Sequence, residues 1–136
     1  MKAKIKKDLV STLGEQLKGA SKEWWNDNIP VLTKNFPDFS VMDLQNWQKM
    51  ANWHGVIVEA DEHLETEGYV ITYSNGTEGT SQWFGIKDKA QKQFNTFLIE
   101  YGLTPNAKAK LERKQIKNEQ DSIDNQDKLL LGLVKK

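Results

Sequence analysis

The run Gly102-Leu103-Thr104-Pro105 constrains the fold more than any other feature of the sequence. Glycine favours the left-handed conformation that follows a helix end, and the leucine after it supplies the apolar contact typical of such an end. Threonine is a good N-cap, and proline fits the first position of the next helix because its missing N–H is harmless there. The run therefore predicts that one helix stops and another begins in a helix–turn–helix-like corner.

Two helices are predicted before residue 36. Residues 3–18 repeat leucine and isoleucine at four-residue spacing, which predicts an amphipathic helix that closes at Lys18-Gly19. Ser21 is the expected cap of the second helix. Because proline removes a hydrogen bond inside a helix, Pro30 predicts a kink or an early end near Asn28.

The third helix is predicted to be the longest. Ser40 and Asp43 resemble a capping box, and the apolar spacing continues to Gly68. A fourth helix is predicted over residues 86–101. The sequence therefore predicts a mainly α chain with one long central helix.

A small exposed hairpin is predicted at about residues 69–83. Residues 69–73 are β-branched or aromatic, and Asn75-Gly76 suits a tight turn. The return strand, residues 77–83, is poor in β-forming side chains.

The length of 136 residues suits one domain. We predict a single helical domain over residues 1–118, followed by a polar linker and an apolar docking segment over residues 119–136. The side chains expected to dock a partner are Leu129, Leu130, Leu131, Leu133 and Val134.

Composition excludes several classes of protein. The chain has no cysteine, which removes disulfides, thiolate metal sites and cysteine nucleophiles. No apolar run reaches the roughly 20 residues that span a bilayer. The basic N-terminus lacks the apolar block of a signal peptide, so we expect a cytoplasmic protein.

The sequence predicts no enzyme, no metal site and no cofactor. Glu59 and His63 are one helical turn apart and could share a metal ion, but no HExxH motif or third ligand accompanies them. His54 is expected in a core or an interface. No serine lies in the glycine-flanked motif of a nucleophile.

Charge is segregated although the net charge is zero. Residues 1–22 carry six lysines against two carboxylates, and residues 36–67 carry seven carboxylates against one lysine. Residues 105–118 carry five cations against one carboxylate. Such blocks suit self-association or the binding of a polyanion.

Two basic clusters are candidate DNA contacts. A helix N-terminus followed by cations can bind phosphates, although an ordinary charged surface or an ion-pair face against a neighbour stays an alternative. The first cluster is Lys108, Lys110, Arg113, Lys114 and Lys117, and the second is Lys2, Lys4, Lys6 and Lys7.

An aromatic stripe on the long helix is predicted to pack in the core or between subunits. It is wider than one small globule needs, so we predict a closed homo-oligomer. The stripe comprises Trp47, Met50, Trp53 and Ile57.

The order of these features resembles the small terminase subunit of tailed double-stranded DNA phages. The resemblance covers roughly residues 9–113, and its most specific part is Tyr101-Gly-Leu-Thr-Pro-Asn-Ala-Lys-Ala-Lys-Leu111. The family signature is an aromatic residue, Gly-Leu-Thr-Pro, two small or polar residues and then basic-x-basic-Leu. Lys108 and Lys110 stand where the family often has arginine.

The resemblance implies a non-enzymatic subunit that assembles as a ring, binds double-stranded phage DNA and loads the large ATPase–nuclease subunit. This work would take place in the cytoplasm of the host cell. Two alternatives remain at this point: a helix–turn–helix transcriptional regulator, which would be a dimer reading base edges, and an enzyme with a metal on Glu59 and His63.

Overall fold

The structure is a computed structural model that describes residues 3–134, without the side chains of residues 3, 115 and 127–134. The described chain is mainly helical, with one small antiparallel sheet, and it divides into two compact units. The first unit extends to Phe97 and the second begins at Leu98. The elements in order are α1 (Ala3–Glu15), α2 (Gly19–Asn35), α3 (Val41–Glu67), β1 (Val70–Thr72), β2 (Glu78–Thr80), α4 (Gln82–Glu100) and α5 (Pro105–Val134).

The core of the first unit lies between its first three helices. α3 packs most extensively on α2, and α1 contacts both. Trp47 is fully buried in α3 beside Phe39, with ring centroids 5.4 Å apart. Leu32 of α2 and Leu44 of α3 are also almost inaccessible. The three- and four-residue spacing of these side chains turns them to one face of each helix, which explains the packing.

The connection between α1 and α2 differs from the prediction. α1 ends at Glu15, and Gly19 begins α2 with φ of 57° instead of closing α1. The buried Leu17 donates its N–H to the carbonyl of Gly14, so the chain turns before Lys18. A side chain at Gly14 would place its Cβ 2.6 Å from Nε1 of Trp25, and glycine therefore permits the close approach of α1 and α2.

The early end predicted for α2 at Asn28 is wrong. The helix continues through Pro30 to Asn35. Side-chain donors on both sides of the proline bond to carbonyls of the preceding turn: Asn28 Nδ2 donates to Trp24, and Thr33 Oγ1 donates to Ile29. Pro30 itself is exposed, so its ring displaces no core side chain.

The capping box and the hairpin are confirmed. Ser40 N–H donates to the Asp43 carboxylate at 2.8 Å, and Asp43 N–H donates to Ser40 Oγ at 3.2 Å. β1 and β2 pair antiparallel, and Gly76 in the turn has φ of 84°. Trp83 lies in α4 and not in the predicted return strand, because Ser81 Oγ accepts from Trp83 N–H and starts that helix.

In the second unit, α5 runs without interruption to Val134. Residues 119–128, for which the sequence predicts a linker, are helical, and the predicted docking segment 129–134 forms the end of the same helix. The boundary between the units lies at Phe97 and Leu98, inside a segment whose apolar spacing indicates one continuous helix. A functional division after residue 118 stays a prediction. Among the described residues, every helix is too short or too polar to cross a membrane.

Candidate nucleic-acid interface

The end of α4 has the geometry predicted from the run at residues 102–105. Leu103 N–H donates to the carbonyl of Leu98 at 2.8 Å, and Gly102 N–H donates to the carbonyl of Ile99 at 3.1 Å. These two bonds form a Schellman motif, which requires a left-handed residue after the helix. Gly102 has φ of 65°, and a Cβ on it would collide with the side chain of Leu111. Glycine therefore suits this position by its conformation, and a larger residue would also require the Leu111 side chain to move.

The start of α5 is capped as predicted. Thr104 Oγ1 accepts a hydrogen bond from Ala107 N–H at 3.1 Å, and Pro105 occupies the first helical position. The positive end of the helix dipole makes such a start favourable for an anion. The helix–turn–helix-like corner itself stays a prediction.

Four of the five predicted cations of α5 share one face. At about 100° per residue, Lys110, Arg113, Lys114 and Lys117 fall within an arc of about 100°. Lys108 points about 160° away from Lys110, so the structure does not bring it to this face. We call the four residues on this arc the basic face of α5, and all four side chains are exposed.

The basic face has no ion-pair partner among the described side chains of the second unit. Arg113 Nε donates to the carbonyl of Ala109 at 3.3 Å, which holds the start of the guanidinium along the helix. An exposed row of cations of this kind can bind successive phosphates of a nucleic acid backbone.

The second predicted cluster is less available. Lys4 and Lys7 are exposed on α1, but Lys6 is half-buried. Its Nζ donates to the carbonyl of Pro37 at 3.2 Å and lies 4.5 Å from the centre of the Phe39 ring. Lys6 therefore fixes the connection between α2 and α3, and Lys2 lies outside the described residues.

Most of the predicted oligomer interface is buried within the protomer. Trp47 and Met50 are 0% exposed and Ile57 is 9% exposed, so these side chains pack inside the protomer. Trp53 is half-buried. A second protomer cannot reach Trp47 or Met50 without unfolding the first unit, because tight packing leaves no access to them. Trp53 is the one member of the stripe that is not buried, so it stays a predicted interface residue.

His63, one member of the possible metal pair with Glu59, has a different carboxylate as its partner. His63 Nδ1 bonds instead to Glu67 Oε1 at 3.0 Å, one turn further along α3. Within the described residues, no group of three or more potential ligands is close enough to hold a metal ion. Next to this region, a hydrogen bond from Lys87 Nζ to Asp61 raises the pKa of Lys87 above its ordinary value.

Sequence reasoning missed an apolar groove between α1 and α2. Its walls include Val10, Ile29, Pro30 and Phe39, with lysines at its edges. The one signal for it in the sequence is Pro30 on an otherwise helical segment, and a proline in that position more often indicates a helix break.

Comparison with known proteins identifies a family. A family model described as phage terminase, small subunit, matches residues 21–118, which include the long helix, the hairpin, the Schellman turn and the basic face. The curated proteins and the solved structures gave no match.

Proposed function

The chain belongs to the phage terminase small subunit family, and on that premise we propose that it binds viral double-stranded DNA and recruits the large ATPase–nuclease subunit for genome packaging. In this proposal the chain performs no catalysis itself and acts in the cytoplasm of the host cell. The observation that carries the DNA-binding part is the basic face of α5, which is exposed and forms no ion pair with a described side chain of its unit.

The basic face suits the backbone of a duplex better than its base edges. Three of its four cations are lysines, which act as point charges and lack the fixed fork that arginine uses for bidentate contacts. Binding through such charges releases counterions and depends little on sequence. We therefore expect low selectivity from one protomer, with Arg113 as the residue best able to orient on a phosphate.

Assembly would compensate for the small number of contacts per protomer. Four cations give only a few phosphate contacts, so a single protomer would bind weakly. A closed ring of identical protomers would present many copies to one polymer and raise the overall affinity. We propose such a ring, with more than two protomers.

The end of α5 is the proposed docking segment for the large subunit. The sequence of residues 129–134 is apolar except for one glycine, and the backbone there is helical. An apolar helix end of this kind can enter a groove on a partner.

The DNA-binding role is tested with the double variant Arg113→Ala with Lys114→Ala. We expect a steep loss of affinity for double-stranded DNA, a shallower dependence of log affinity on log salt, and an unchanged mass in solution. Lys49→Ala with Lys89→Ala is the matched control, since it removes the same charge from two exposed sites on α3 and α4.

The outcomes separate the competing functions. Unchanged DNA affinity in an intact oligomer would refute the DNA role of the basic face. Dissociation of the oligomer would instead show that these cations pair with carboxylates of a neighbour. A stable dimer with strong preference for a short palindrome would indicate a transcriptional regulator.

A further inference from the structure

An apolar groove with cationic edges runs between α1 and α2. One end has a volume of about 440 Å³ and is lined by Val10, Ile29, Pro30 and Phe39. The other end, of about 340 Å³, shares the first three of these residues and continues to Trp25. We call the two ends together the α1–α2 groove.

Pro30 is part of the lining at both ends and, with Val10 and Ile29, forms the apolar surface that the two ends share. Proline inside a helix sacrifices a backbone hydrogen bond, and here its ring is exposed at a position shared by both ends of the groove. Val10 faces it from α1 and is half-buried. An apolar groove between two helices is the shape that accepts the apolar face of a third helix.

The edges of the groove carry positive charge on both sides. Lys6 and Lys7 lie on the α1 side, and Lys22 lies on the α2 side. Lys6 is held by the Pro37 carbonyl and the Phe39 ring. Lys7 and Lys22 are more accessible. Glu15 is the one carboxylate in the described lining, at the end that also contains Lys22. The groove therefore favours a helix with acidic residues beside its apolar stripe.

The chain contains a helical segment with this pattern in α5. Ile116 and Ile123 are seven residues apart and therefore fall on one stripe, and their side chains are 65% and 52% exposed. Glu119 and Asp124 lie on the two sides of this stripe, and both are exposed. The three lysines of the basic face lie more than about 100° away from Ile123 around the helix, so the stripe and most of the basic face occupy different sides.

We propose that the α1–α2 groove of one protomer binds residues 116–127 of α5 from a second copy of the chain. Ile116 and Ile123 enter the groove, and Glu119 and Asp124 face the lysines at its edges. The contact is heterologous, because a groove on one protomer receives a helix from another. When the same contact is repeated from protomer to protomer, a ring closes if the rotation between neighbouring protomers divides a full turn evenly. The inference rests on the proposed assembly and names its contact surface.

Charge reversal at the groove edges tests the contact in the full-length chain. Lys7→Glu with Lys22→Glu should lower the mean mass in solution about twofold or more, since like charges then face each other. Lys49→Glu with Lys89→Glu is the control with the same change in net charge at exposed sites outside the groove, and it should keep the wild-type mass. Adding Glu119→Lys and Asp124→Lys to the groove variant should restore the mass.

The mass measurement distinguishes this inference from the proposed function. An oligomer whose mass is unaffected by the groove reversal would overturn the inference and leave the proposed ring intact. A wild-type chain that is a monomer would overturn both. Loss of large-subunit binding with unchanged mass would show that the groove receives the partner protein and would also overturn the inference.

Cross-linking provides a second readout that does not depend on weakening the contact. The natural chain has no cysteine, so a disulfide can form only between introduced residues. A chain with Lys7→Cys is mixed with a chain with Glu119→Cys, and oxidation should give a covalent pair of twice 15.6 kDa. Lys49→Cys mixed with Glu119→Cys should give none. If a chain with both Lys7→Cys and Glu119→Cys closes only on itself, the groove holds its own α5 and the inference fails.

Discussion

The imidazole of His63 stacks on the indole of Trp83, with ring centroids 4.0 Å apart and ring planes 4° from parallel. His63 lies in the last turns of α3 and Trp83 lies in the first turn of α4, on opposite sides of the hairpin. The same imidazole bonds to Glu67 through Nδ1. The stack therefore connects the two helix ends that enclose the hairpin.

A double-mutant cycle should detect the stack. We expect His63→Ala and Trp83→Ala to show a coupling of about 0.5–1.5 kcal/mol in the free energy of unfolding, the usual size for an aromatic pair. Urea unfolding followed by circular dichroism measures it. As a control, His54→Ala combined with Trp83→Ala should be additive, since His54 contacts Phe94 instead. Additive effects at His63 and Trp83 would contradict the stack.

Two glycine substitutions should act in opposite directions. Gly102→Ala should lower the free energy of unfolding by about 1 kcal/mol or more, because alanine is strained at positive φ and its methyl group would meet Leu111. Gly85→Ala should raise it by about 0.5–1 kcal/mol, since Gly85 is exposed inside α4 with open space around it.

Thermal unfolding of the two glycine variants checks this pair. If both variants were destabilised to a similar extent, the Schellman turn would not be the reason for glycine at position 102.

Local features of this fold could be predicted from the sequence. The Schellman turn at Gly102, the cap at Thr104 and the capping box at Ser40 depend on neighbouring residues, so short patterns suffice for them. The tight turn at Gly76 belongs to the same class.

Features that depend on distant residues could not be predicted. The close approach of α1 to Trp25 at Gly14 depends on how two helices pack, and Pro30 is tolerated because its ring is exposed. The burial of Trp47 required knowing that α1 and α2 both cover α3.

Trp47 should behave as a core residue. Trp47→Ala should lower the free energy of unfolding by about 3–5 kcal/mol, the range for deleting a large buried aromatic side chain. Any fall in oligomer mass should therefore coincide with a fall in helical circular dichroism. Met42→Ala is the control on the same helix. The Met42 side chain is 69% exposed, so this substitution should lower the free energy of unfolding by less than about 0.5 kcal/mol. A Trp47→Ala chain that stays folded but becomes monomeric would restore Trp47 to the oligomer interface.

Deletion of residues 129–136 should abolish binding of the large subunit without affecting assembly or DNA binding. The truncated chain should keep its oligomer mass and its affinity for DNA, because the basic face and residues 116–127 remain. It should lose binding to the large subunit, as measured by pull-down with that subunit. Full-affinity capture by the truncated chain would place the docking segment elsewhere. Lys128→Ala in the full-length chain is a control that keeps the apolar residues.

Lys117 and Lys108 should differ in their contribution to DNA binding. Lys117 lies on the basic face, whereas Lys108 points to the other side of α5. Lys117→Ala should weaken binding to all duplex sequences about equally and make the salt slope shallower by about one unit for each phosphate that is no longer neutralised. Lys108→Ala removes the same charge near the helix start and should change the slope much less. Fluorescence anisotropy across a salt series measures both slopes. Equal losses of affinity from the two variants would mean that net charge, and not the face of α5, determines binding, and the contact surface would then move to Lys4 and Lys7 on α1.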